Sequence, residues 1–318
     1  MSGTTFARVW RLAQRAPVGL VRAACAFAAL VAWAAGLGGV RQLEANLRRV
    51  RPELDRRGIR RLSRKGMASY LRYYAEIFEV HRLGLEELQA RVRPEGHEVL
   101  REHFAAGRSV VLALGHMGNW DLAGAWATRE LAPVTSVAEV LEPRELFEEF
   151  VALREGIGIS VVPLERGSDV FRELVRIVRR GGQLVPLLAD RDLTARGLEV
   201  ELFGERSRVA VGPAALGITT GAPVVPTSIF CERLRGARRR AARSRWGIVI
   251  RFHPAIELPA DLPKEDRVRF TTQAWVDVLA SEIAAHPEDW HMLQKVFVAD
   301  LDPERYARTR AAAGEGES

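Results

Sequence analysis

The pattern of apolar and polar positions divides the chain into a helical first part and an alternating second part. Up to about residue 106 the apolar residues recur at helical spacing. Beyond it, short apolar runs alternate with amphipathic segments. We predict strands at residues 110–114, 136–140, 159–163, 184–189, 224–230 and 247–252, and helices at residues 120–131, 143–155, 169–180, 213–220 and 264–286. This order predicts an α/β fold in which a central, mainly parallel sheet is flanked by helices.

Residues 23–40 form an uncharged run near the N-terminus, with arginines on both sides. Its 18 residues are close to the minimum for crossing a hydrocarbon core of about 30 Å. Because the flanking charges give no direction across a membrane, we expect a helix that lies in or dips into the inner membrane face. An alanine-rich core helix is the alternative. We divide the chain into a membrane-associating helix (1–45), an α/β domain (46–300) and a C-terminal tail (301–318).

The composition is that of a globular protein with a basic surface. Hydrophobic residues make up 47% of the chain and the formal net charge is +7. A basic surface attracts phosphates, whether they belong to nucleic acid, anionic lipid or a nucleotide-bearing molecule. Only 7% of the residues are aromatic and no nucleic-acid-binding motif is present, so a nucleic-acid partner is disfavoured. We expect no metal, because no set of ligands has a suitable spacing.

The candidate chemistry lies in residues 115–121, with the sequence GHMGNWD. Ligands of such sheets bind beyond the carboxyl ends of the strands, and His116 follows a predicted strand directly. Asn119 is suited to cap the next helix, with Asp121 in its first turn. We expect this turn to fold Asp121 back onto the imidazole, so that His116 acts as a general base. His81 and His97 have an acidic residue at the same spacing, but neither follows a strand.

Six blocks resemble, in order, the lysophospholipid-type acyltransferases of the lipid A lauroyl acyltransferase branch. They are residues 115–121, 154–155, 189–192, 199–204, 212–226 and 287–294. The last block is particularly similar to the actinobacterial phosphatidylinositol mannoside acyltransferases. The resemblance implies a membrane-associated enzyme on the cytoplasmic face, peripheral or monotopic, that needs no cofactor. It implies transfer of a long acyl chain, such as palmitoyl, from acyl-CoA to a phosphatidylinositol mannoside. Other glycolipids or lysophospholipids, and acyl carrier protein as donor, remain alternatives.

The resemblance also adds site residues. It implies that Glu199 belongs to the active centre, with Glu201 as its rival. No Gly-x-Ser-x-Gly motif is present, so the acceptor hydroxyl itself is expected to attack, without an acyl-enzyme. Asp190 and Asp192 line the cleft or, as we expect, pair with neighbouring arginines.

Donors for the oxyanion are expected at the start of the helix, from Gly118 and Asn119, and from Arg154. A phosphate clamp, or one more surface arginine, is the alternative for Arg154. Gly212 and Pro213 begin a helix that the resemblance places near the acyl donor. The ordinary preference for these residues at the start of a helix explains them as well. Residues 233–245, with seven arginines between two predicted strands, form a basic hairpin loop. This loop either contacts anionic headgroups or the coenzyme, or is simply solvated.

Overall fold

The computed structural model describes residues 15–140, 143–165, 169–192, 194 and 196–314. Residues 1–14 of the predicted N-terminal segment and residues 315–318 of the predicted tail lie outside this range. The strands are β1 (Val92–Glu95), β2 (Val110–Leu114), β3 (Val134–Glu139), β4 (Ile159–Leu164), β5 (Leu184–Leu188), β6 (Leu198–Leu202), β7 (Glu205–Val209), β8 (Val224–Arg233) and β9 (Trp246–Phe252).

The central sheet has seven strands in the order β1-β9-β8-β2-β5-β3-β4. Its neighbouring strands are parallel except for β8 and β9, which are antiparallel. Strands β6 and β7 form a separate antiparallel pair. These observations confirm the predicted α/β fold with a mainly parallel sheet.

Helices cover both faces of the sheet. They are α1 (Val18–Ala34), α2 (Gly38–Val50), α3 (Arg56–Val80), α4 (Leu85–Arg91), α5 (Glu98–Ala105), α6 (Trp120–Glu130), α7 (Arg144–Gly156), α8 (Val170–Arg179), α9 (Gly212–Thr220), α10 (Gly236–Ala241), α11 (Arg267–Ala285) and α12 (Pro303–Gly314). Helix α2 spans the boundary that we expected at residue 45, and α12 lies in the expected tail. The three-part division stays a prediction.

The uncharged run 23–40 is not one helix. Helix α1 ends at Ala34 and α2 begins at Gly38, with Gly36 between them at φ +60°, and the two axes differ by 76°. Within the described residues no single helix is long and apolar enough to span a membrane, whereas α1 and α2 together meet the requirements of length and composition.

Helix α1 packs against α3 with one face only. The indole N–H of Trp33 donates to the Arg60 carbonyl at 3.1 Å, and Arg22 pairs with Glu79 at 2.5 Å. Val21 and Ala29 are buried on this face. The opposite face is apolar and exposed, with Leu20 and Phe27 on it. Surface helices of soluble proteins usually present charged and polar residues on this side.

Strand β2 is buried along its whole length and connects the layers of the core. Alternate side chains of a strand point to opposite faces of the sheet. Val110, Leu112 and Leu114 pack in one cluster with α6, whereas Val111 packs in another with α8 and α9. Ala113 belongs to a third cluster, around Trp275 of α11. The turn that follows β2 is therefore held between firmly packed elements.

Candidate active site

A histidine and a carboxylate meet beyond the ends of two neighbouring strands. Leu114 and Leu188, the last residues of β2 and β5, are paired in register. His116 and Asp190 each follow two residues later, so their side chains reach the same point. His116 Nδ1 donates to Asp190 Oδ1 at 2.5 Å, and the His116 backbone N–H donates to Asp190 Oδ2 at 3.0 Å. Asp190 is buried, whereas 37% of the His116 side chain is exposed.

This pairing changes the basicity of the imidazole. Burial by itself lowers the pKa of His116, but the charge of Asp190 and its hydrogen bond outweigh burial and raise the pKa above its usual value of 6.5. Burial would likewise raise the pKa of Asp190, yet His116 and the indole N–H of Trp290 lower it. Asp190 is thus a carboxylate that holds Nδ1 of His116, which leaves Nε2 as the nitrogen that can act as a base.

Asp121 is where the prediction and the geometry differ. The expected contact with the imidazole is wrong, because both Asp121 oxygens are held elsewhere. Tyr73 Oη of α3 donates to Oδ2 at 2.8 Å, and Arg154 Nε of α7 donates to Oδ1 at 2.8 Å. The expected pairing of Asp190 with neighbouring arginines is also wrong, because Asp190 binds His116 instead. A catalytic role for Asp121 stays a prediction, and its contacts are those of a residue that fixes the helix beside the site.

Arg154 lies in the last turn of α7, with its side chain 14% exposed against a nearly buried Asp121. Burial would lower the pKa of this guanidinium, but the charge of Asp121 raises it instead. Its ion pair joins α7 to α6 across the edge of the site. Arg154 also lines an apolar cavity next to Asp121. Its predicted contact with an oxyanion or a phosphate stays a prediction.

Gly118 gives the turn its shape. It has φ +60°, and a Cβ on it would lie 2.5 Å from the Ile229 carbonyl oxygen, so only glycine fits. The predicted N-cap is confirmed, because Asn119 Oδ1 accepts the Leu122 N–H at 2.9 Å. Asn119 Nδ2 donates to Glu76 of α3 at 2.8 Å.

Several backbone N–H groups of the turn are already bonded. Those of His116, Met117 and Gly118 donate to Asp190, Gly115 and Asp289. The predicted use of the Gly118 N–H as an oxyanion donor is therefore wrong, because this group already donates to the Asp289 carbonyl. The same role for the backbone N–H of Asn119 stays a prediction.

A C-terminal segment that the sequence did not connect with the site closes over this turn. The N–H of His291 donates to the His116 carbonyl at 2.7 Å, and Met117 forms an isolated bridge with Trp290. The Trp290 indole N–H donates to Asp190 Oδ2 at 3.0 Å, although the two residues are 100 positions apart. The 287–294 block of the family resemblance was the one signal in the sequence that pointed here.

His291 is a second histidine near the site. Burial lowers its pKa to about 4, so it is neutral at physiological pH. Ser69 Oγ donates to Asp289 Oδ1 at 2.5 Å and therefore accepts from His291 Nε2 at 3.1 Å. Within the described residues His291 Nδ1 has no hydrogen-bond partner. A neutral imidazole with its proton on Nε2 fits both observations.

Glu199 does not take the place beside His116. It lies in β6, on the same strand face as Glu201, as predicted from the alternation. Its carboxylate faces Arg206, Arg208 and the Tyr306 hydroxyl. Glu201 is exposed. The acidic residue that contacts the histidine is Asp190, and a role for Glu199 in the reaction stays a prediction.

Gly212 and Pro213 begin α9, and Gly221 ends it with φ +74°, which confirms the predicted start and end of this helix. Their part in donor binding stays a prediction.

An apolar cavity of about 70 Å³ lies between the sheet and α6. Leu112, Leu114, Leu188 and Ile229 contribute to its wall, and Trp120 lies at its edge. The ring centroid of Trp120 is 5.7 Å from that of His116. The cavity therefore adjoins the imidazole and offers an apolar surface to a hydrocarbon chain.

Known proteins are similar in sequence to this chain along most of its length. Residues 5–298 match the family described as "Bacterial lipid A biosynthesis acyltransferase". A phosphatidylinositol mannoside acyltransferase of Mycolicibacterium smegmatis is 36% identical over 95% of this chain and 93% of its own length. The protein of the same name from Mycobacterium tuberculosis is 38% identical over 86% of this chain and 82% of its own length.

Among solved structures, the 1-acyl-sn-glycerophosphate acyltransferase of Thermotoga maritima is 16% identical, with a TM-score of 0.37 over 85% of this chain and 98% of that chain. That likeness is too low to add to the topology above. The family match and the two relatives confirm the resemblance predicted from the ordered blocks. The chain therefore belongs to the bacterial lipid A biosynthesis acyltransferase family and is an acyltransferase.

Proposed function

We propose that this acyltransferase moves a long fatty acyl chain from acyl-CoA to a mannose hydroxyl of a phosphatidylinositol mannoside. The observation that carries the proposal is the His116–Asp190 pair beyond the ends of β2 and β5. The acceptor is taken from the names of two relatives that align along most of the chain.

The pair supports direct attack by the acceptor hydroxyl. Because His116 Nδ1 donates to Asp190, the lone pair of the neutral imidazole lies on Nε2. Nε2 takes the hydroxyl proton while the acceptor oxygen bonds to the thioester carbonyl carbon. The tetrahedral intermediate then loses the coenzyme thiolate as the C–S bond breaks, and the imidazolium returns the proton to the sulfur. Asp190 stabilises the imidazolium in between. No side chain becomes acylated.

The donor is proposed as acyl-CoA, with its thioester end beside His116 and the first carbons of its acyl chain at the apolar cavity between the sheet and α6. This cavity of about 70 Å³ holds only a few methylene groups, since one water takes up about 30 Å³ of liquid, so most of a long chain lies outside it. Acyl carrier protein carries the same thioester and remains the alternative donor.

We further propose that α1 holds the enzyme at the cytoplasmic face of the membrane. Leu20, Phe27 and Val31 lie on the face of α1 turned away from α3, and they are 62%, 69% and 48% exposed. An apolar stripe of this kind, next to arginines, is typical of helices that lie in a membrane interface. A lipid acceptor does not leave the bilayer freely, so the active site gains from this position.

Transfer is tested with purified protein, labelled palmitoyl-CoA and a panel of acceptors, followed by mass spectrometry of the lipid product. The panel holds phosphatidylinositol mannosides, another glycolipid and a lysophospholipid, and palmitoyl acyl carrier protein replaces palmitoyl-CoA in a parallel arm. We expect acylation of the mannoside. Acylation of another acceptor only, or free palmitate only, contradicts the proposal.

A further inference from the structure

A second, larger cavity lies outside the catalytic turn, and its lining is rich in arginine. Its volume is about 970 Å³, within the size range of ligand pockets. One wall is α1 with Ala23, Cys25 and Ala26. We call this cavity the basic groove.

The other sides of the basic groove are polar. The floor is α3, with Arg72 and Glu76, and the opposite wall is the segment between β8 and β9, with Arg239, Arg240 and Arg245. The basic hairpin predicted from the sequence thus forms one wall, with a short helix, α10, inside it.

Three of the four hairpin arginines that line the groove differ from its other arginines. Arg22 of α1 pairs with Glu79, and Arg243 of the hairpin pairs with Glu87. Arg239, Arg240 and Arg245 are exposed, and no carboxylate of the described residues forms an ion pair with any of them.

Arg72 is held in place by two neighbouring side chains. Its guanidinium carbon lies 4.0 Å from the ring centroid of Trp246, and its Nη2 lies 3.7 Å from Asp289 Oδ1. The hairpin wall therefore presents three arginines that form no ion pair within the described part of the chain, next to Arg72, which is held in place.

The alanine wall places the basic groove beside the proposed membrane face. At about 100° per residue, Ala23 and Ala26 lie between the buried face of α1, with Ala29, and its exposed apolar face, with Phe27. One side of the cavity is therefore lined by small apolar residues and borders the proposed membrane face, whereas the other side is cationic. A ligand that carries a phosphate on one side and acyl chains on the other matches both sides.

The floor connects the basic groove with the reaction. Glu76 Oε2 accepts from Asn119 Nδ2 at 2.8 Å, and Asn119 lies three residues after His116. A headgroup bound in the groove thus lies one side chain away from the catalytic turn.

We propose that the basic groove binds the phosphodiester of the acceptor lipid, with its diacylglycerol part against α1 and its sugar part toward His116. The assignment rests on the proposed function, because it takes the acceptor as the ligand. The phosphates of the coenzyme have the same chemistry, and the experiment separates the two sources.

The test measures binding without turnover, by calorimetry on the full chain. The probes are dihexanoyl phosphatidylinositol below its micelle concentration and adenosine 3′,5′-bisphosphate, which represents the phosphate end of the coenzyme. The first variant replaces Arg239, Arg240 and Arg245 by Gln. A second, Ala26→Phe, narrows the groove from the opposite wall. The matched control replaces the exposed Arg101, Arg176 and Arg269 by Gln, which removes the same charge outside the groove.

We expect the Kd of the lipid to rise about 10- to 100-fold in the triple variant, as three arginines near an anionic group would produce. It should rise at least several-fold in Ala26→Phe and stay within about twofold in the control. The Kd of the bisphosphate should stay within about twofold throughout. Lipid binding that is absent from the wild type, or unchanged in either groove variant, overturns the proposal. So does a loss for the bisphosphate that equals or exceeds the loss for the lipid.

The two proposals fail separately. A wild-type protein that binds the lipid through these arginines but transfers no acyl chain to a mannoside contradicts the proposed function and supports the groove. A protein that transfers the chain normally in both groove variants, with unchanged lipid Kd, keeps the proposed function and overturns the groove.

Discussion

Replacing Asp190 by Asn is the sharpest test of the catalytic pair. Asp190 accepts three hydrogen bonds, one on Oδ1 from His116 Nδ1 and two on Oδ2, from the His116 backbone N–H and the Trp290 indole. An Asn side chain has one oxygen and one NH₂ group. The oxygen is retained where two donors converge, so the NH₂ group faces His116 Nδ1. Nδ1 must then accept, and the proton moves to Nε2, the atom that should act as the base.

The expected loss follows from this reversed tautomer. General base catalysis contributes about 10²- to 10⁴-fold to a rate, and Asp-to-Asn changes behind a catalytic histidine cost up to about 10⁴-fold in a serine protease. We therefore expect the kcat of Asp190→Asn to fall by about 10²- to 10⁴-fold. The KM values should change little, because Asp190 is buried behind the imidazole.

The pH profile gives a second, independent readout. Because the pKa of His116 is raised above its usual value of 6.5, the imidazole stays protonated, and inactive as a base, to a higher pH than an ordinary histidine. Activity of the wild type should therefore rise with pH as His116 loses its proton. Without the Asp190 charge, burial and the positive charge of Arg191 remain, and both lower the pKa of His116. The acid limb of Asp190→Asn should thus move to lower pH while the maximum rate falls.

The assay is palmitoyl transfer from pH 5 to 9 with circular dichroism on each variant. Asp192→Asn is the matched control, since its carboxylate lies in the same segment and accepts the Thr194 N–H at 2.8 Å. A folded Asp190→Asn protein with a wild-type rate and an unmoved acid limb would refute the reasoning.

Three further predictions concern other parts of the molecule. His116→Ala should lower transfer by about 10²- to 10⁴-fold in a folded protein, whereas His97→Ala should stay within a few-fold of wild type; equal rates in a transfer assay would contradict the role of the base. Asp121→Asn leaves the Arg154 guanidinium largely buried without its carboxylate, so calorimetric unfolding should show a loss of about 3 to 5 kcal/mol, and an unchanged Tm would contradict the structural role of the pair. Phe27→Gln should weaken sedimentation with anionic vesicles but leave Tm unchanged, because the side chain is 69% exposed; undiminished binding would count against α1 as the membrane face.

Local pattern was sufficient for most of the secondary structure. The central strands are apolar runs, and the helices that follow begin with residues that cap or start a helix, such as Asn119 and Pro213. Strand β1 was missed because residues 92–95, VRPE, contain a proline and two charges. Its extended state depends on pairing with β9, which lies more than 150 residues later. The break between α1 and α2 was also missed, although Gly36, Gly38 and Gly39 lie there.

The sequence by itself determined the α/β class, the position of His116 after a buried strand and the family. Which carboxylate meets His116 was decided only by the tertiary structure. The bond between His116 and Asp190 joins residues 74 positions apart, and it exists because β5 rather than β3 lies next to β2. Apolar periodicity indicates that a segment is a strand, but it does not tell which other strand lies next to it in the sheet. Asp121 has the nearer position in the chain, but Tyr73 and Arg154, from two other helices, hold its oxygens.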